Sequence, residues 1–327
     1  MTNVFYTWLG PTQEATKEVS GFDGRQRPDL FGILQAYGST FTNNPPPNFT
    51  LCVLKKFKSD FEEALPDKVD VLAVDEALAN TNNTASMSSI IMTEPNLDNI
   101  DLTVEYIIDN TLGVRGTGYD KSALPYKKLA FIKDLWSLYC VWKYGGYHLD
   151  SGMFPYPIGS TLSFAEPEHF DVPTFDSGDY RTSYYAEASF STGDPMKIAL
   201  KSGPTLLEAE VMADRITRGQ QTPLKRLIDV WAMRSPQGDS GAYLALLTYV
   251  RLWFEARNAA KKAGKDIKPE HYREIIITAA MTGVTHKKTG GTISANSTQE
   301  VSSRIIPGHS NELSDVHMKK VGFQSHR

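Results

Sequence analysis

Two aspartates, Asp134 and Asp150, stand on either side of a glycine pair and could share one site. Asp134 lies ten residues before Tyr144, and this is about 15 Å along a helix axis at a rise of 1.5 Å per residue. The strand that follows the glycines runs about 13 Å at roughly 3.3 Å per residue. If the chain reverses at Gly145-Gly146, both carboxylates arrive at the same level. Carboxylates so placed can ligate a divalent cation or accept hydrogen bonds from the hydroxyls of a ligand.

Spacing alone leaves a plainer interpretation open for each aspartate. Asp134 stands on a helix with an apolar face, where a carboxylate is commonly solvated or ion-paired. Asp150 precedes Ser151-Gly152, and an aspartate in that position commonly starts a turn. The spacing does not decide between these roles and a shared site.

The elements that must position the two aspartates are a helix and a strand. Apolar residues recur at helical spacing from Tyr126 to Tyr144, and Gly145-Gly146 is a typical helix stop. Upstream, strands alternate with helices, which favours an α/β fold with a parallel sheet. The predicted strands cover 4–10, 49–57, 69–74, 147–150 and 273–283, and further helical patterns cover 195–216 and 224–262.

The composition is that of an ordinary globular protein. Of 327 residues, 41% are hydrophobic and 22% are charged. The formal charge of −4 lacks the excess of positive charge that is typical of nucleic-acid-binding proteins. Only Cys52 and Cys140 are present, which argues against a disulfide framework and a cysteine zinc site. The sequence shows no secretory signal and no transmembrane segment. We therefore expect a cytoplasmic protein, or one exported without a cleaved signal peptide.

The segment from Tyr126 to Pro155 resembles the DXD-containing sugar-binding region of GT-A glycosyltransferases. This group includes capsular polysaccharide transferases, initiating mannosyltransferases and the large clostridial glucosylating toxins. Their pattern is a helix with Ser-Asp and an Arg three residues on, then Tyr-Gly-Gly, an aromatic residue and Leu-Asp-x-Asp. Here Asp134 lies on the helix, and Tyr144-Gly145-Gly146-Tyr147 precedes Leu149-Asp150-Ser151-Gly152. The resemblance implies a Rossmann-like, mostly parallel sheet flanked by helices.

Two further segments resemble the same family. Trp8-Leu9-Gly10 stands where the family has Trp-Ile-Gly, whose Trp stacks on the nucleotide base, and an aromatic ring with a neighbouring glycine suits that contact. Thr282-Gly283 resembles the family's Thr-Gly-Pro, with Val284 in place of the proline. The resemblance implies two catalytic aspartates and a set of donor-binding residues: Asp134 and Asp150 are catalytic, and Trp8, Leu9, Gly10, Asp134, Tyr147, Leu149, Ser151, Gly152, Thr282 and Gly283 bind the donor.

The match departs from the family pattern at two positions. Gly152 replaces the second Asp of DXD, and Ser137 replaces the helix Arg. Binding of Mn²⁺ or Mg²⁺ would then rest on Asp150, helped by tail residues such as His309 and Asn311. The alternative is that cationic side chains neutralise a diphosphate without a metal, as Lys or Arg can beside a leaving phosphate. The available cations are Lys133, Lys287, Lys288, Arg304, Lys319 and Lys320.

From the resemblance we expect a hexosyltransferase that moves a sugar from a nucleotide donor, UDP-linked, to a glycan or protein hydroxyl with retention. The alternative is a catalytically inactive module on the same fold, which binds nucleotide sugars or engages a protein partner through the helical region 195–262. We expect one domain over 1–327, with a helical insertion at 195–262 and a C-terminal loop or lid at 289–327. The sequence does not identify the acceptor.

Overall fold

The structure of the protein is a computed structural model. It describes residues 1–15, 18–20, 26–28, 31–79, 100–112, 126–155, 159–172, 174–176, 226–228, 230–264, 275–276, 278–280, 282–284, 312–313, 316 and 318–320. The strands are β1 Asn3–Thr7, β2 Glu18–Ser20, β3 Gln26–Pro28, β4 Asn48–Val53, β5 Asp70–Ala73, β6 Gly146–Leu149, β7 Met153–Pro155, β8 Thr174–Asp176, β9 Arg226–Ile228, β10 Ala232–Ser235, β11 Glu312–Leu313 and β12 Met318–Lys320. The α-helices are α1 Thr12–Ala15, α2 Phe31–Tyr37, α3 Lys58–Ala64, α4 Val74–Ala79, α5 Ile100–Leu112, α6 Tyr126–Tyr144 and α7 Ser240–Lys262, and Lys55–Phe57 form a 3₁₀ turn.

Five strands form the central sheet in the order β10, β6, β1, β4, β5. Strands β6, β1, β4 and β5 are parallel, whereas β10 runs antiparallel to β6 at one edge. The strands β1 and β4 are buried almost throughout, as expected for parallel strands covered on both faces. The α/β fold with a mostly parallel sheet flanked by helices is thereby confirmed.

The strand order of this sheet reverses beside β1. The chain passes from β1 to β4 and β5 on one side, and β6 then pairs with the other side of β1. Open α/β sheets form a ligand crevice at such a reversal, beyond the carboxyl ends of the strands. The crevice is thus expected at the ends of β1 and β6.

Helix α6 packs between the sheet and two other helices. The hydroxyl of Tyr249 on α7 donates to the Phe131 carbonyl over 3.0 Å, and the two rings stack with centroids 5.3 Å apart. On α5, the Asp101 carboxylate accepts hydrogen bonds from Tyr139 at 2.9 Å and Lys143 at 3.0 Å. These contacts hold α6 on three sides, and its bounds are those predicted from the sequence.

The reversal between α6 and β6 requires both glycines. Gly145 and Gly146 have φ of 69° and 96°, a region that residues with a side chain rarely adopt. A Cβ atom on Gly146 would overlap the Asn3 carbonyl oxygen, and one on Gly145 would lie 2.7 Å from the Gln237 nitrogen. The chain can therefore turn back along α6 only with glycine here.

Part of the predicted helical pattern at 224–262 is wrong. Residues 226–228 and 232–235 are the strands β9 and β10, and helix begins only at Ser240. Asp239 caps it by accepting hydrogen bonds from the backbone N–H groups of Gly241 at 2.7 Å and Ala242 at 3.1 Å. Strand β10 therefore extends the central sheet, and the buried side of α7 packs on α6. The first helical pattern, 195–216, lies outside the described residues.

The strand predicted at 273–283 is also wrong, because its described residues are helical. Residues 275–276, 278–280 and 282–284 have helical conformation, and the Thr282 hydroxyl donates to the Thr278 carbonyl over 2.8 Å. Three consecutive isoleucines favour a strand, but tertiary packing overrides that preference. A Cβ atom on Gly283 would lie 2.5 Å from the Gly241 carbonyl oxygen, so this segment packs closely on the start of α7.

A smaller sheet brings the C-terminal part of the chain beside the central one. Strand β12 pairs antiparallel with both β7 and β11, with Lys320 opposite Met153. The short strands β2 with β3, and β8 with β9, form two further ribbons. Across the described ranges, no helix has the length and apolar character needed to cross a bilayer.

Candidate active site

The candidate site lies where β1 and β6 end side by side. Tyr6 pairs with Leu149 in the parallel register, so Thr7 and Asp150 follow at neighbouring strand ends. The Asp150 backbone N–H donates to the Trp231 carbonyl over 2.8 Å, and its carbonyl accepts from the Met153 N–H over 2.9 Å. These bonds fix Asp150 between the edge strand and a tight turn at the predicted crevice.

Lys133 on helix α6 joins the two aspartates. Its ammonium hydrogen-bonds the Asp150 carboxylate and lies 3.3 Å from Oδ1 of Asp134. The exposed fractions of the three side chains are 16% for Lys133, 17% for Asp134 and 7% for Asp150. Helix α6, the glycine turn and β6 therefore bring both carboxylates to one ammonium. We call Lys133, Asp134 and Asp150 together the Lys133 cluster. The proximity expected from element lengths is present, and the roles of the two aspartates stay predictions.

Electrostatics hold the Lys133 cluster in its charged form. Burial opposes the ammonium charge, but the negative charges of Asp150 and Asp134, with the hydrogen bonds to both, raise the pKa of Lys133 above its ordinary value. Lys133 is therefore a cation at every pH at which the protein would be assayed. The three side chains together carry a formal charge of −1, since two carboxylates share one ammonium.

His148 lies beneath this cluster, in the sheet. Its side chain is fully buried, and its Nε2 atom is 2.8 Å from the Thr7 hydroxyl on β1. Burial, and next the positive charge of Lys133, lowers the pKa of His148 to about 3, although Asp150 acts in the opposite direction. The imidazole is therefore neutral at ordinary pH. Its Nδ1 atom has no hydrogen-bond partner among the described residues.

Two of the predicted donor-binding side chains lie on the other face of the sheet. Residues alternate along a strand, so Tyr147 and Leu149 point away from the face of His148 and Asp150. Tyr147 is 2% exposed, donates to the Ala165 carbonyl over 2.9 Å and packs edge-on against Phe164. Leu149 is fully buried in the hydrophobic cluster that contains Tyr147 and Phe164. As placed, these two side chains build the core, whereas Ser151 and Gly152 in the following turn are partly exposed.

Trp8, predicted to stack on a base, is also a core residue in this structure. It is 5% exposed and packs with Tyr6 and Val53, and its indole N–H donates to the Pro11 carbonyl over 3.3 Å. Stacking needs an exposed ring face, which this placement does not offer. Leu9 is buried in a separate hydrophobic cluster that includes residues of α6, and Gly10 lies against the Trp8 ring. The donor-binding role of this segment therefore requires the Trp8 ring to move.

The remaining predicted site residues are not brought to the Lys133 cluster by any described contact. Gly283 packs on Gly241, Ala245 and Phe170, and Thr282 hydrogen-bonds within its own helical segment. His309 and Asn311 lie outside the described residues. Strand β7 starts three residues after Asp150, and β12 pairs with it. The structure thus places β12 beside the segment that follows Asp150.

The described residues do not fit a divalent cation. Asp150 already binds the Lys133 ammonium, and Gly152 supplies no side-chain oxygen. Within the described ranges, no three His, Cys, Asp or Glu side chains come together in an arrangement that could hold a metal. Mn²⁺ and Mg²⁺ prefer several oxygen ligands, which the described residues do not bring together here.

Sequence reasoning missed two features of this site. Lys133 entered only as one of several cations for a phosphate, and its position between the aspartates was not foreseen. His148 was not singled out at all. A signal for each exists in the sequence, because His148 stands two residues before Asp150 on one strand and so shares its face, and Lys133 adjoins Asp134.

Comparison with known proteins adds little to this geometry. No protein-family model matches the chain, and no curated protein matches it. Among solved structures, one described as "PaToxG Glycosyltransferase" is 12% identical, and the alignment covers 93% of this chain and 75% of that chain with a TM-score of 0.41. So loose a superposition carries no argument about activity. Functional inference rests on the site and on the sequence motif.

Proposed function

We propose that the chain is a glycosyltransferase. It transfers a sugar from a UDP-linked donor to a hydroxyl of a glycan or protein, with retention at the anomeric carbon. The observation that carries the proposal is the Lys133 cluster, in which two carboxylates and a cation converge at the carboxyl ends of β1 and β6. Strand order reverses at this point, where open α/β sheets bind ligands.

The sequence motif gives independent support. Tyr144-Gly145-Gly146-Tyr147 and Leu149-Asp150 resemble the sugar-binding region of GT-A glycosyltransferases, and each part has a structural purpose here. The glycines permit the reversal against Asn3, and the strand then delivers Asp150 to the helix. The pairing of β12 with β7 also supports a C-terminal segment that covers the donor.

The proposed reaction needs charge and orientation from the protein. The bond between the anomeric carbon and the diphosphate oxygen breaks, and UDP leaves with the electron pair. The acceptor oxygen forms the new bond to that carbon and passes its proton to the departing diphosphate oxygen. Lys133, held by Asp150, offers positive charge to the diphosphate, and fixed charge of this kind stabilises a leaving phosphate. Asp134 accepts hydrogen bonds from donor hydroxyls, and the proposal names no protein nucleophile.

The direct test is a screen of nucleotide sugars, read by mass spectrometry as transfer to trial acceptors and as donor hydrolysis. With the preferred donor, Asp150→Asn should lower turnover at least about 100-fold, because Lys133 loses the carboxylate that holds its ammonium in position for the leaving group. Asp70→Asn is the matched control, since Asp70 is exposed at the start of β5 and should leave turnover near the wild-type value.

Two outcomes would contradict the proposal. Full turnover by Asp150→Asn would remove the central claim about the Lys133 cluster. Binding of UDP or UDP-sugars without turnover for any donor would favour the binding module instead.

A further inference from the structure

The strongest remaining feature is the position of Lys133 between two carboxylates. Lys133 and Asp134 are neighbours on α6, so their side chains leave the helix about 100° apart at 3.6 residues per turn. The ammonium nevertheless lies 3.3 Å from Asp134 Oδ1 while it hydrogen-bonds Asp150 on another element. This requires the lysine side chain to lie across the gap between helix and strand, where only 16% of it is exposed.

We propose that Lys133 is a built-in cation that takes the place of a divalent metal between Asp134 and Asp150. The two carboxylates are partly buried and adjacent, an arrangement that requires a cation. Lys133 supplies that cation from the chain itself. A divalent ion entering the same space would meet the ammonium at close range, and Gly152 offers it no replacement oxygen.

The inference makes a prediction about substitution of Lys133. With Lys133→Met, the two carboxylates lose their shared cation and become a pair of oxygen ligands for a metal. The variant should then bind Mn²⁺ at least about tenfold more tightly than the wild type, because carboxylate number and charge set affinity for hard cations. The double variant Lys133→Met with Asp150→Asn should lose this gain, and Lys133→Arg, which keeps the charge, should behave as the wild type.

The measurement is an electron paramagnetic resonance titration of Mn²⁺ alone with each purified full-length protein. Weak binding by the wild type with a gain in Lys133→Met supports the inference. Wild-type Mn²⁺ binding that Asp150→Asn removes would overturn it, as would a folded Lys133→Met that gains nothing. If Lys133→Met does not fold, the wild type, Asp150→Asn and Lys133→Arg decide the question.

A second titration links the inference to the donor, and only this part rests on the proposed function. Calorimetry with UDP, in the presence of Mn²⁺ or of a chelator, should give wild-type affinities within about twofold of each other if Lys133 supplies the positive charge. A strong dependence on Mn²⁺ would overturn the inference while leaving the glycosyltransferase proposal intact. Absence of UDP binding would count against the proposed function, and the titration with Mn²⁺ alone would still stand.

Discussion

Buried aspartates lie near both ends of strand β6, and each faces a cation. Asp150 follows the carboxyl end of β6 and binds Lys133. Asp171 pairs through the backbone with Arg234, which lies opposite Tyr147 near the start of β6. We call Asp171, Arg234 and His169 the Asp171 cluster, because His169 Nε2 lies 2.9 Å from Asp171 Oδ1.

The two clusters differ in how backbone and charge are matched. In the Asp171 cluster each backbone N–H donates to the carbonyl of the other residue, over 2.9 and 3.0 Å, and Arg234 Nε lies 3.5 Å from the carboxylate. One carboxylate thus meets one guanidinium on a paired backbone. In the Lys133 cluster one ammonium serves two carboxylates, and side chains alone join α6 to the strand end.

The difference indicates that the Asp171 cluster supports the fold, and it leads us to expect the chemistry at the Lys133 cluster. A pair that is balanced in charge and fixed by backbone hydrogen bonds stabilises a strand edge. A cluster with a formal charge of −1 at the crevice of a reversed sheet is suited to a ligand. Substitutions in the two clusters should therefore separate stability from function.

The largest expected effect is a loss of stability at the glycine turn that leads into β6. Gly146→Ala places a Cβ atom against the Asn3 carbonyl and forces a residue with a side chain to a φ of 96°. Strain and overlap together should lower the free energy of unfolding by about 3–5 kcal/mol. Urea unfolding followed by circular dichroism measures this.

Gly238→Ala is the matched control for Gly146→Ala. Gly238 also has a positive φ, of 73°, but a Cβ atom there would meet nothing within 4 Å. Only the backbone strain remains, so the loss should be about 1–2 kcal/mol. Equal losses in the two variants would show that the overlap with Asn3 does not matter.

The next largest effect is the difference in stability between substitutions of Asp171 and of Asp150. Asp171→Asn keeps the backbone pairing but removes the charge that faces Arg234, whose side chain is 19% exposed. We expect a loss of about 3 kcal/mol in unfolding free energy, the lower end of the range for a broken buried pair.

Asp150→Asn is the contrast to this substitution, because Lys133 keeps Asp134 as a partner. It should cost about 1 kcal/mol, because the amide oxygen of asparagine can still accept a hydrogen bond from Lys133, and yet it is the variant expected to lose turnover. Asp171→Asn should retain the specific turnover of its folded fraction. The reverse pattern, with stability lost in Asp150→Asn and turnover lost in Asp171→Asn, would invert the assignment of the two clusters.

What the sequence could predict depended on local spacing. Helix α6 and its glycine stop follow from periodicity and from two residues that must turn, and the near meeting of Asp134 with Asp150 follows from element lengths. The parallel arrangement of the sheet follows from the alternation of strands with helices. These features need no knowledge of which distant segments touch.

What the sequence could not predict depended on tertiary contacts. The helical pattern at 224–262 includes β10 because only pairing with β6 distinguishes that strand. The isoleucines at 275–277 favour a strand, whereas the described residues 275–276, 278–280 and 282–284 are helical. The bridging position of Lys133 depends on how a long side chain crosses between two elements. Burial of Trp8 likewise depends on packing around β1.

The smallest expected effect tests the neutral imidazole beneath the Lys133 cluster. In the folded protein the pKa of His148 is lowered to about 3, first by burial and then by Lys133. In the unfolded chain a histidine has a pKa of about 6.5. As the pH falls below about 6.5, the unfolded chain therefore binds a proton that the folded protein does not. The contribution of His148 to stability is present above that pH and is lost progressively toward pH 3.

Comparison with His148→Gln isolates this contribution, because all other titrating groups are shared. Between about pH 7 and pH 5.5 the wild type should lose about 1 kcal/mol more unfolding free energy than the variant. Urea unfolding at the two pH values measures the difference. Parallel pH dependence in the two proteins would mean that His148 takes up a proton in the folded protein over this range as it does in the unfolded chain. The charge balance proposed for the Lys133 cluster would then have to include a second cation below about pH 6.5.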